Sequence, residues 1–199
     1  MIAVVVLAVL GAAIAWAAAD DLRNGALARV LLAVGIMLLA VEPLENAIAY
    51  NRIAARRDTR VLASRWMAEH LAPGTKVQIV SNAIGLYGVL RMPPGIVVAR
   101  VKPEPSALAA AGVTYVIVYD HVLPYLRPDS TAMAMLEPRL RLVAEFDPFT
   151  PNWPAALFEW GDAYYIPFHG FSGVSRPGPG VRIYALDAAG GGPGPEPHA

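Results

Sequence analysis

The 199-residue sequence contains no cysteine. Disulfides, thiolate nucleophiles and cysteine-based metal sites are therefore excluded. Charge is also scarce: Asp, Glu, Lys and Arg make up 16% of the chain, where a soluble domain carries about 25%. The 16 basic and 16 acidic residues cancel, and no Lys/Arg stripe interleaves with aromatics, which argues against a nucleic-acid partner. No GxGxxG, Walker A, GxSxG or HExxH pattern occurs, so the common nucleotide, hydrolase and zinc-protease signatures are missing. The four histidines, at 70, 121, 169 and 198, do not cluster in sequence. No catalytic residue, metal ligand or cofactor is assigned.

What the chain has in excess is apolar residues, 56% of the total, with a mean hydropathy of +0.44. Much of that excess lies in residues 1–50. Ile2 to Ala19 has neither charge nor proline. Asp20 to Gly25 interrupts the run, and Ala26 to Val41 resumes it. About 18 helical residues span roughly 27 Å, close to a hydrocarbon core of about 30 Å. The sequence thus predicts a two-helix transmembrane hairpin, with spans of about 2–19 and 26–45 and a turn at Asn24-Gly25. The second span reaches full length only by running past Glu42 towards Tyr50. A signal peptide cleaved after Ala17-Ala18-Ala19 is the competing reading, but it lacks a basic n-region and a second apolar run follows at once. A buried hairpin in a soluble helical core is disfavoured by the uniform apolarity of the first span.

Residues 51–57, with Arg52, Arg56 and Arg57, read as a basic juxtamembrane linker anchored by snorkelling arginines. Residues 58–187 are long enough for a domain with its own core. Asp58 is a candidate N-cap for a helix from Thr59 to Leu71, ended by Pro73-Gly74. Strands are expected at 76–80, 96–101, 113–119, 140–146 and 181–186. Short helices are expected at 105–111, stopped by Gly112, and at 130–136, capped by Asp129. The stretch 82–92 is ambiguous. Val113 to Tyr119, rich in β-branched and aromatic residues, is the expected central strand. Strand–helix alternation implies a small two- or three-layer α/β domain with a mixed sheet, its closing strands antiparallel or at an edge. Residues 188–199, rich in Gly and Pro, are expected to be disordered.

Two stretches are candidates for chemistry. Asp120-His121 sits at the carboxyl end of the expected central strand, where α/β sheets often bind ligands. An ordinary loop pair explains it more simply, and an independent enzyme built on Asp120, His121 or His169 has no nameable nucleophile–base pair. The second is the aromatic stretch 159–176, in which Asp162, Tyr164, Tyr165, His169 and Arg176 are candidate substrate-binding residues for a sugar or lipid headgroup. Equally, its rings can plug the core or sit at the bilayer interface.

In order along the chain, several segments resemble bacterial family-39-type membrane glycosyltransferases, the relatives of protein O-mannosyltransferases and the aminoarabinose transferase. They are Asp58-Thr59-Arg60-Val61-Leu62-Ala63 with Trp66, the strand following Ala111-Gly112, Tyr164-Tyr165-Ile166-Pro167-Phe168, and Arg176-Pro177-Gly178-Pro179-Gly180 leading into Val181-Arg182-Ile183-Tyr184. The resemblance covers 58–186, with the hairpin in place of the family's last spans. It implies the C-terminal membrane anchor and extracytoplasmic domain of an enzyme that moves a sugar from a polyprenyl-phosphate donor. The family's acidic N-terminal loop has no counterpart here, and Asp20-Asp21 is not assigned its role. The chain is then accessory or acceptor-binding: a fragment, the product of an alternative start, or a split subunit. Its implied partners are the bilayer, the lipid-linked sugar donor or a polytopic subunit. A stand-alone membrane-anchored binding module is the alternative. Four arginines follow the second span (52, 56, 57, 60) against Arg23 and Arg29 near the turn, which by charge alone favours a cytoplasmic domain. The resemblance places the domain outside the cytoplasmic membrane, and that sidedness is the expectation.

Overall fold

The computed structural model describes residues 11–12, 16, 25–80, 90–121, 127–150, 158 and 165–187. It divides into two compact units, residues 1–49 and 50–199.

In the first unit Gly11, Ala12 and Trp16 are helical, and α1 (Gly25–Ala54) is one long helix that continues into the second unit. Most of the expected first span and the turn at 20–24 lie outside the described residues, so of the expected hairpin only the second helix is described in full. At roughly 1.5 Å per residue α1 is about 45 Å long. It is apolar and long enough to cross a membrane, and none of its membrane-length window is buried. Met37, Leu38 and Leu39 are each more than two-thirds exposed to the surroundings. A soluble core helix would cover such residues. The helix runs through Pro43 and takes in Asn51 to Ala54, so the expected linker begins as its last turn.

The second unit is an α/β domain around a five-stranded mixed sheet. Its elements are α2 (Thr59–His70), β1 (Lys76–Val80), β2 (Val97–Ala99), α3 (Pro105–Ala111), β3 (Tyr115–Asp120), α4 (Ser130–Leu136), β4 (Leu140–Phe146) and β5 (Gly180–Leu186). The strand order is β2-β1-β3-β5-β4. β2, β1 and β3 are parallel, whereas β5 is antiparallel to both β3 and β4. β3 is central, as its composition predicts. The last strand is not at an edge: β5 is inserted between β3 and β4, because Gly180 to Ala185 pairs along the whole of β3.

Alternation explains the layers. Val77, Ile117, Tyr119, Val181 and Ile183 meet Ala63 and Met67 of α2 on one face. Val80, Val116 and Val118 meet Leu108 of α3 and Ala132 and Leu136 of α4 on the other. The sandwich is therefore three-layered, both faces of its central strand being apolar. A bulge in β4 sets Leu142 opposite Tyr184 but Ala144 opposite Ile183. The extra residue reverses side-chain parity. Leu140 consequently packs on the α3/α4 side, while Ala144 and Phe146 pack on the α2 side.

The helix ends follow local chemistry. Asp58 Oδ1 accepts from the Arg60 amide at 2.7 Å, and Asp129 Oδ1 accepts from the amides of Thr131 and Ala132 at 2.8 and 3.2 Å. These caps satisfy amides that a helix start leaves open. Gly112 ends α3 in the left-handed region, φ 69°.

A third, smaller core joins Ile53 in the last turn of α1 to Ile166 and Val174, with Phe149, Phe158 and Phe171 packed around it. The end of the apolar helix is thus part of the domain. Arg56, expected to snorkel, instead donates to the Ser175 carbonyl at 2.9 Å.

The start of α2 is locked to the segment before β5. Thr59 is fully buried. Its amide donates to the Pro177 carbonyl at 3.0 Å and its hydroxyl to the Pro179 carbonyl at 2.6 Å, across 120 residues. Gly178 lies between them at φ +106°, and a Cβ there would run into Thr59 Oγ1 and come within 2.6 Å of Asp58 Oδ1. Gly178→Ala is expected to destabilise the domain by about 2 kcal/mol or more, from backbone strain plus the clash. Thr59→Val, which strands the Pro179 carbonyl, is expected to cost about 1–3 kcal/mol. Urea denaturation of the detergent-solubilised chain, followed by tryptophan fluorescence, measures both.

Candidate functional site

The carboxyl end of β3 opens into a cavity of about 330 Å³ lined by Asp120, His121, Arg127, Asp147, Phe149, Gly180 and Arg182. Strand geometry assembles it. Asp120 ends β3 and is paired with Gly180, the first residue of β5. Two residues further along β5, Arg182 lies opposite Glu145 of β4. Its Nε donates to Glu145 Oε1 at 2.7 Å and its Nη1 to Asp120 Oδ2 at 3.3 Å. The hydrogen bond donated to Glu145 raises the Arg182 pKa, and the charges of Glu145 and Asp120 add to it against the opposing effect of burial. Asp147 is held in a turn in which its Oδ1 accepts from the Phe149 amide at 2.8 Å.

His121 forms the inner wall and is 2% exposed. Phe158 and Tyr165 meet its ring edge-on, with centroids 4.6 and 5.1 Å away, and Phe149 lies at 5.4 Å. Burial among these rings pulls its pKa from 6.5 to about 4, so the imidazole is neutral at physiological pH.

Behind His121 the site connects to the start of α2. Tyr165 is fully buried and holds φ 56°, a conformation a bulky side chain adopts only when its surroundings impose it. The Arg60 guanidinium lies 4.9 Å from the centre of its ring and donates to both oxygens of Asp58, at 2.9 and 2.6 Å. Burial alone would lower the Arg60 pKa, but the hydrogen bond and charge of Asp58 outweigh it and raise it. Tyr119, beneath, accepts a hydrogen bond from the Leu90 amide at 3.1 Å. Burial pushes its phenol well above the usual range, despite that hydrogen bond and the nearby Arg60 charge.

Of the five loop residues proposed from sequence, Asp162 and Tyr164 lie outside the described residues. Tyr165 is packed behind His121, His169 is exposed and Arg176 is half-buried; none of these three belongs to the cavity lining. Asp120 and His121, the dipeptide at the strand end, do line it. Arg127, Asp147, Phe149 and Arg182 were not indicated as site residues by sequence; Arg182 joins the site through the register of β5, and Asp147 and Phe149 follow the end of β4. Among the described residues no group of three or more His, Asp or Glu could hold a metal ion. What the cavity offers is two carboxylates, two guanidiniums, a neutral imidazole and an aromatic wall. That set suits an uncharged, hydroxyl-rich ligand, each hydroxyl of which can donate to a carboxylate and accept from a guanidinium. No protein-family model, curated protein or solved structure matches the chain.

The buried imidazole makes stability pH-dependent. Its folded pKa of about 4 lies below its unfolded 6.5, so the unfolded state takes up the proton first. Its contribution is intact above pH 6.5 and is lost as pH falls towards 4, of the order of 3 kcal/mol in all. His121→Phe is expected to flatten that part of the wild-type stability profile, measured by denaturation across this pH window.

Proposed function

We propose that the chain is the membrane anchor and extracytoplasmic domain of a lipid-linked-sugar-dependent glycosyltransferase of the type its motifs resemble, and that it binds rather than catalyses. What most supports this reading is the convergence of those motifs on one site. Thr59 clamps the Pro177–Pro179 segment that leads into Gly180. Arg60 lies over the Tyr165 ring, and Tyr165 meets His121 edge-on. Segments that carried the resemblance separately thus pack together behind His121, which lines the cavity. A sugar is a ligand of the uncharged, hydroxyl-rich class that its mixed charges suit.

The membrane assignment draws on α1 and on its neighbour. Arg29 lies 5.8 Å from the Trp16 ring centre, whereas 13 residues of continuous helix would separate them by roughly 20 Å. That proximity supports the hairpin, and the apolar helix leads into the domain through Ile53. The closed three-layer core supports a second reading, a stand-alone membrane-anchored binding module.

An antibody against the domain, applied to the carbonate-washed membrane fraction of cells, separates these readings. A band two to three times heavier than the 21.2 kDa of the chain, or a co-purifying polytopic subunit, is expected for the glycosyltransferase reading. A lone band at the chain's own mass would favour the stand-alone module, and release by carbonate would remove the anchor from both. For the cavity, Asp120→Asn in the full-length protein is expected to weaken neutral hexose binding at least tenfold, the cost of about one charged hydrogen bond. Saturation-transfer NMR reads this directly.

A further inference from the structure

A second cavity, of about 450 Å³, lies between the outer side of α2 and residues 91–94. Arg57, Arg65 and Arg91 line it together with Val61, Met92 and Pro93. Among the described residues no carboxylate is in its lining. Arg65 has one acidic neighbour, Glu69, at 3.4 Å, but both side chains are well over half exposed. Such a pair is worth little in water and does not neutralise the groove. Its floor is apolar: Val61 is 55% exposed and lies one turn before Arg65 on the same side of α2.

Two neighbouring arginines have structural partners. Arg56 is bonded to the Ser175 carbonyl and Arg60 to Asp58. Arg57, Arg65 and Arg91 therefore form a separate cationic set around an apolar floor. Their chemistry fits a ligand with a phosphate at one end and aliphatic carbon at the other. Guanidinium binds phosphate in forked geometry, and Val61, Met92 and Pro93 can cover the adjoining methylenes. Arg57 also lies only three residues beyond Ala54, where the apolar helix ends.

We propose that this groove seats the phosphate headgroup of an anionic membrane phospholipid, docking the domain against the bilayer surface. The inference rests on the membrane-anchored reading of α1, and it is independent of the sugar assignment of the β3 cavity.

The test reconstitutes the full-length chain in nanodiscs of phosphatidylcholine alone or mixed with equal phosphatidylglycerol, and follows amide hydrogen exchange over residues 57–68 and at Arg91 and Met92. Exchange there is expected to slow at least fivefold in the anionic discs, about what a single basic residue contributes near such a surface. The effect should fade at about 0.5 M salt. The Arg57→Gln/Arg65→Gln/Arg91→Gln variant should lose it while protection of β3 and β5 stays unchanged, which shows that the domain is folded. Exchange indifferent to headgroup charge, or a difference retained in the triple variant, would overturn the proposal. So would equal slowing by millimolar inorganic phosphate in phosphatidylcholine discs, which would mark a site for free phosphate. Failure of the anchor has its own signature, release of the chain by alkaline carbonate, which overturns the membrane reading and this proposal with it.

Discussion

Thr59 is the residue on which the arrangement of the domain depends. It is fully buried, and it satisfies two proline carbonyls through its amide and its hydroxyl. The prolines leave that segment few amides with which to build regular structure of its own. A buried carbonyl with no donor would be costly, so the start of α2 and the approach to β5 stabilise each other. Their junction also fixes where β5 begins. Gly180 follows Pro179 directly and pairs with Asp120, and from that point the register carries Arg182 to Glu145 on one side and to within reach of Asp120 on the other. A clamp at the helix start therefore sets the charge geometry of a cavity at the strand end.

That geometry restricts the cavity's chemistry as much as it enables it. Arg182 is engaged by two carboxylates, and His121 is neutral because rings surround it. A neutral imidazole can accept or donate one hydrogen bond without bringing charge into the site. A strongly charged ligand would find one favourable and one unfavourable partner at every approach, and the opposing terms would cancel. A ligand with several hydroxyls meets no such conflict.

Much of the fold was legible because its signals are local. Asp58, Asp129 and Gly112 mark helix ends through interactions within a few residues, and each is found doing so. Val113 to Tyr119 showed by composition that both faces of its strand would be covered. The position of β5 was not legible. Nothing local in Val181 to Leu186 distinguishes an edge strand from an inserted one, and its place depends on a contact 120 residues away. The same limit hid most of the cavity. Asp120-His121 could be suspected from a strand end, but Arg182 enters only through register and Asp147 by following the end of β4, and the bulge in β4 that resets side-chain parity has no sequence mark. Tyr165 was legible as an aromatic able to plug the core, and not as the neighbour of His121. Its positive φ shows that packing, not propensity, determines its place.

The arginines after α1 show how structure changes the weight of a sequence rule. By count, Arg52, Arg56, Arg57 and Arg60 oppose Arg23 and Arg29 and favour a cytoplasmic domain. Arg56 ties the last turn of α1 to Ser175, beside the core that Ile53 enters. Arg60 holds Asp58 and covers Tyr165. Both occupy their positions for reasons of packing that have no bearing on sidedness. The remaining comparison, Arg52 and Arg57 against Arg23 and Arg29, is even. On that count charge does not decide between the two sides.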